Sequence, residues 1–93
     1  MLAIMQKIET LFGAAVRKRR NELGISQEDF ADKAGIHRTY VSSIELGKVQ
    51  VSIRIAHQLA VALETPLSKL WKDSDEKVKP TFIKDLGQII REM

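Results

Sequence analysis

Apolar residues recur early in the chain with the 3.6-residue period of a helix. Ile8, Phe12, Val16 with Ala15, and Leu23 share one face, and Gly24 follows as a residue suited to a left-handed C-terminal cap. This spacing predicts a first helix from about Ile8 to Leu23. Ile4 keeps the period, so the helix can begin near Ala3, or Thr10 can cap a later start; both remain open in the sequence. Ser26, with Asp29 three residues on and Ile25 and Phe30 at staple positions, predicts a sharp helix start at Gln27. Phe30 and Ala34 give that helix its apolar face, and Gly35 ends it. A third segment, His37 to Leu46, turns Val41 and Ile44 inward behind Ile36, and Gly47 and Lys48 close it. Ser52 caps a fourth helix with the stripe Ile55, Leu59, Ala62 and Leu63, and a brief fifth around Leu67, Leu70 and Trp71 follows Pro66. The expected fold class is therefore all-α, one compact five-helix unit over residues 1–71.

Beyond that unit, residues 72–80 are mostly charged and end in Pro80, which reads as a linker or a frayed helix end. Thr81 to Met93 places Ile83, Leu86, Ile90 and Met93 on one helical face with Phe82 and Ile89 beside it, although Gly87 costs about 1 kcal/mol of helix propensity. Such a stripe needs a partner. A homodimer contact is expected there, with folding back onto the chain's own core as the alternative.

Only Gly35 and Ile36 separate the second and third helical patterns, so the chain must turn abruptly and the helices must cross steeply. That is the geometry of a helix-turn-helix, here residues 26–48. The outward face of its second helix carries Arg38, Thr39, Ser42 and Ser43, with Tyr40 toward the edge. Serine and threonine are mediocre helix formers, so helix stability does not explain that face. An α-helix fits the major groove of DNA, where arginine can donate two hydrogen bonds to guanine O6 and N7, worth about 1 to 3 kcal/mol of base discrimination. Arg38 is the leading candidate for that contact. Thr39 offers a hydroxyl or a methyl group to a base edge, Ser43 lies one turn beyond it, and Tyr40 and Ser42 can serve bases or phosphates.

Composition narrows the alternatives. The 93 residues include no cysteine, which excludes disulfides, thiolate nucleophiles and cysteine-based zinc sites and suits a reducing compartment. The opening Met1 to Met5 run is too short for a secretory core or a membrane span, so a soluble, cytoplasmic protein is expected, with no membrane partner. No carboxylate pair, nucleophile with a base, phosphate loop or metal cluster stands out in the sequence, so catalysis, a metal, a cofactor and a small-molecule ligand are not expected. His57 has no second ligand at helical spacing. The net charge of +3 and pI near 9.4 lean toward polyanions, but only modestly. Position says more: Arg17, Lys18, Arg19 and Arg20 form one cationic run.

The string SQEDFADKAGIHRTYVSSIELGK, residues 26–48, resembles the helix-turn-helix of the Cro and phage-repressor (Xre-type) family, and the likeness extends over about residues 8–71. The HRTY opening of the third helix is most similar to the controller proteins of restriction-modification systems. The resemblance implies a sequence-specific regulator that binds double-stranded DNA as a homodimer; an antitoxin or protein-interaction module is the rival reading. It implies a backbone clamp at Gln27, where the amino end of a helix already suits a phosphate. Lys48 looks like a second clamp, with Arg17, Lys18 and Arg54 as further candidates. Glu45 would repel phosphates unless paired, and the resemblance supplies Arg20 as its partner, making both structural. His37 stands at the N-cap of the third helix, where serine or threonine is usual, and can cap or reach a phosphate. Glu64 and Thr65 stand where the family often has glycine, which leaves the end of the fourth helix open.

Overall fold

The computed structural model describes residues 8–72. The expected linker from 73 onward, the stripe Ile83, Leu86, Ile90 and Met93, and a helix start near Ala3 all lie outside the described residues. Four helices run Ile8–Glu22 (α1), Gln27–Ala34 (α2), Arg38–Glu45 (α3) and Ile53–Ala62 (α4), and residues 67–72 form a fifth, α5. No strand occurs among the described residues, and the fold is the all-α five-helix unit that the periodicity predicts. No described helix is long and apolar enough to cross a membrane.

The core draws on every helix. Val16, Phe30, Val41, Ile44, Leu59, Leu63 and Leu70 are fully buried, each contributing about 1.5 to 3 kcal/mol relative to an exposed side chain. Helix α3 packs against both α1 and α2, and α2 also meets α4, so α3 is supported from two sides. In the first half of α1, the Phe12 ring stacks on Trp71 of α5 with centroids 4.8 Å apart.

Two glycines set how closely α1 approaches α3. Gly13 is buried in the middle of α1, and a Cβ there would collide with the Ile44 carbonyl oxygen and stand 2.9 Å from that of Glu45. Gly47, at φ 72, closes α3 in the left-handed region, and its Cβ would lie 2.6 Å from Thr10 Cα. Thr10 therefore sits inside α1 against the Gly47 backbone, which corrects the later helix start in which Thr10 acts as the cap.

The end of α4, left open by Glu64 and Thr65, is settled by a residue outside that segment. Glu64 takes φ 55, a conformation that costs a non-glycine residue about 1 to 2 kcal/mol. The Arg19 side chain reaches across from α1, its Nε donating to the Leu63 carbonyl at 3.0 Å and its Nη2 to that of Glu64 at 3.4 Å. These bonds satisfy carbonyls that a helix end leaves without partners.

Gly13→Ala should destabilise the protein by about 3 kcal/mol, because backbone and not a flexible side chain would have to move. Gly24→Ala, at positive φ but with open space around it, should cost only about 1 kcal/mol. Urea denaturation of both variants checks this; equal losses would contradict a close α1–α3 approach at Gly13.

Candidate nucleic-acid interface

Local capping fixes the two helices and the turn between them. The Ser26 hydroxyl accepts from the Asp29 amide at 3.0 Å and starts α2. Gly35, at φ 72, ends it, with the Ile36 amide donating back to the Ala31 carbonyl at 3.0 Å. Gln58 of α4 adds a bond that the sequence did not signal, its Nε2 donating to the Ala34 carbonyl at 2.9 Å. His37 caps α3: its backbone is extended, and Nδ1 accepts from the Thr39 amide at 3.1 Å. An imidazole whose Nδ1 accepts carries its proton on Nε2, so the outer nitrogen of this exposed ring is a donor.

With Val41 and Ile44 buried, α3 is fixed in rotation about its own axis. Arg38 and Thr39 stand exposed on its first turn, while Ser42 and Ser43 are half-buried along its flank. Tyr40 is also half-buried and packs against the core, so much of its ring is committed to packing. The exposed end of the face is thus its amino-terminal end.

The carboxyl-terminal end is occupied by a network. Arg20 of α1 donates from Nε to Glu45 Oε2 at 2.7 Å and from Nη2 to Glu45 Oε1 at 3.0 Å, a two-bond fork, and from Nη1 to the Ile25 carbonyl at 2.9 Å. Gln27 Nε2 adds a third donor to the same carboxylate at 3.0 Å. The side chains of Arg20 and Glu45 are 11% and 2% exposed, so this is an interior pair. The hydrogen bond to Glu45 holds the Arg20 guanidinium above its ordinary pKa, desolvation opposes it, and the charge of Glu45 adds to the rise. Gln27, read in the sequence as a phosphate clamp, thereby uses one amide hydrogen inside the protein; the other hydrogen and Oε1 remain for a partner outside it.

The remaining cations fall in different places. Lys48 is exposed just past α3, with its amide donating to the Ser43 carbonyl at 3.0 Å. Arg17 and Arg54 are exposed on α1 and at the start of α4. Lys18, however, lines a cleft with Arg19, Glu22, Thr65, Lys69 and Leu70, on the α5 side of α1. Two residues apart on a helix means about 200° of rotation, so Lys18 points away from the side on which Arg20 meets α3. The structure does not bring Lys18 together with Arg38, Thr39 and Lys48.

Residues 16–70 match the model of a helix-turn-helix family. The chain belongs to the Xre-type helix-turn-helix family. This helix-turn-helix protein is 38% identical over 74 residues to control protein C.MunI of a Mycoplasma species, across 78% of its own length and the whole of that relative. It is 38% identical over 63 residues to control protein C.SmaI of Serratia marcescens, covering 68% of its own length and 75% of the relative. Among solved structures, it resembles the restriction-modification controller protein C.AhdI of Aeromonas hydrophila, with a TM-score of 0.66 and 35% identity over 67% of this chain and 94% of that one. The helix-turn-helix protein is a DNA-binding transcriptional regulator.

Glu45→Ala should destabilise it by about 3 kcal/mol, since it strands the Arg20 charge in the interior. The double variant Arg20→Met, Glu45→Leu should recover most of that loss, because removing both charges also removes their desolvation cost. Chemical denaturation of the two variants measures this; a double variant no more stable than Glu45→Ala would contradict an ionic role for the junction.

Proposed function

We propose that this regulator is a restriction-modification controller that binds a two-fold operator as a homodimer and has no catalytic activity. The observation that carries the reading is the division of α3. Its amino-terminal turn presents Arg38 and Thr39 to solvent, while the acid at its other end is neutralised within the protein. A helix built this way can enter the major groove without carrying a bare carboxylate toward the phosphates. The likeness to C.MunI, C.SmaI and C.AhdI supports the controller assignment.

In this reading Arg38 donates to a guanine, Thr39 contacts the neighbouring base edge, and Ser42, Ser43 and Tyr40 complete the contacts along the flank. Lys48, the second amide hydrogen of Gln27, the Nε2 donor of His37, and Arg17 and Arg54 hold the phosphates. Phosphate contacts fix register, whereas base contacts specify sequence. A charge of only +3 per chain is small for this task, and a dimer doubles the number of phosphates engaged. Two-fold symmetry then sets half-sites about 34 to 36 Å apart, one turn of DNA. The stripe Ile83, Leu86, Ile90 and Met93 is the candidate for part of the dimer contact.

Arg38→Ala should abolish preference for an operator selected from random DNA while leaving weak, salt-sensitive binding. Lys48→Ala should weaken binding to all sequences alike and reduce the salt slope by about 1. Titrations on selected and scrambled duplexes at several salt concentrations separate the two, and equal losses on both duplexes for Arg38→Ala would remove it from base readout. Sedimentation of the full chain should show a dimer that Leu86→Asp weakens; an unchanged dimer would exclude the stripe from the interface.

A further inference from the structure

The start of α3 is not free of acids. Glu28, in the first turn of α2, approaches Arg38, with Oε2 3.8 Å from Nη1. The two residues line a shallow cleft together with Ala31, Asp32, Ile36 and His37. The side chains are 65% and 70% exposed, so the pair adds little to stability. An acid at this position already suits the amino end of α2, where the helix dipole favours negative charge. That local benefit explains an acid in the first turn, and Asp29 is there as well; it does not explain why Glu28 meets Arg38.

The atoms involved are informative. A guanidinium presents two two-donor edges, and Arg20 shows one of them in this molecule, with Nε and Nη2 together forking onto Glu45. In Arg38 the contact with Glu28 is made through Nη1. The Nε and Nη2 edge is untouched by that contact, and it is one of the two edges that can donate side by side to guanine O6 and N7. An arginine at an exposed helix start otherwise samples many rotamers, and ordering it on a base costs entropy that an opposite charge within reach reduces.

We propose that Glu28 is a positioning residue for base readout: it holds Arg38 by Nη1 so that the Nε and Nη2 edge faces the guanine. The inference rests on the reading of Arg38 as the base contact. Its consequences have opposite signs on two kinds of DNA. Near phosphates the Glu28 charge repels any duplex, so it weakens sequence-independent binding. On the operator it pre-orients the reader, and a guanidinium on the wrong base has no matching acceptor pair. Glu28 therefore raises the ratio of operator to random affinity while lowering affinity for random DNA.

The test uses the full-length protein and the variants Glu28→Gln, Arg38→Ala and both together, each titrated on the selected operator and on a scrambled duplex. Glu28→Gln should bind the scrambled duplex about 3-fold more tightly, with the operator-to-scrambled ratio lowered about 3- to 10-fold. In the Arg38→Ala background the same substitution should leave the ratio unchanged. A ratio unaffected by Glu28→Gln, with Arg38→Ala still destroying it, would overturn the positioning role and leave Arg38 as the reader. A ratio that falls equally with and without Arg38 would place the action of Glu28 on another contact and also overturn it. An unchanged ratio for Arg38→Ala alone would instead remove the reading on which the inference rests. Circular dichroism and thermal melting of each variant distinguish a misfolded helix α2 from a loss of readout.

Discussion

The carboxylate of Glu45 ties α1, α2 and α3 together. It is buried at the end of α3, where an uncompensated charge would cost several kcal/mol, and three donors from two other segments converge on it. Those donors belong to Arg20 of α1 and Gln27 of α2, and Arg20 also holds the Ile25 carbonyl in the loop between them. The fork geometry admits little variation in angle, so the end of α1, the start of α2 and the end of α3 are set relative to one another.

Packing completes what the junction begins. Gly13 and Gly47 let the backbones of α1 and α3 meet with no side chain between them, so the separation of the two helices is fixed by main-chain contact. Val41 and Ile44 lock the rotation of α3, and the His37 cap and the Gly35 turn fix where it starts. The result is a rigid helix whose first turn alone is fully exposed, and rigidity matters because a base contact displaced by an ångström is a different contact. The surface thus combines an end whose acid is neutralised within the protein with an end where Arg38 and Thr39 stand exposed. This division, more than the net charge of +3, makes the helix suited to DNA.

Much of this was legible in the sequence because it is encoded locally. Ser26, Gly35 and Ser52 act within one helical turn of their own positions, and the inward stripe of α3 follows from a single period. Arg20 and Glu45, 25 residues apart, were readable only through family resemblance, since no local rule pairs them. The contacts that escaped are those joining distant elements through ordinary surface residues: Arg19 on the end of α4, Gln58 on the end of α2, and Gln27 turned inward to Glu45. Lys18 is a candidate in the sequence beside Arg17, because a run of charges does not announce which side of the helix each occupies. Gly13 did leave a signal. A glycine inside an apolar helix costs about 1 kcal/mol against alanine and usually marks a close approach.

Guanine-N7 methylation interference on the selected operator tests whether the amino-terminal turn of α3 reads a guanine through Arg38. In each half-site, methylation of at least one guanine should block the wild-type protein and no longer matter to Arg38→Ala. The same guanine interfering equally with both proteins would contradict it.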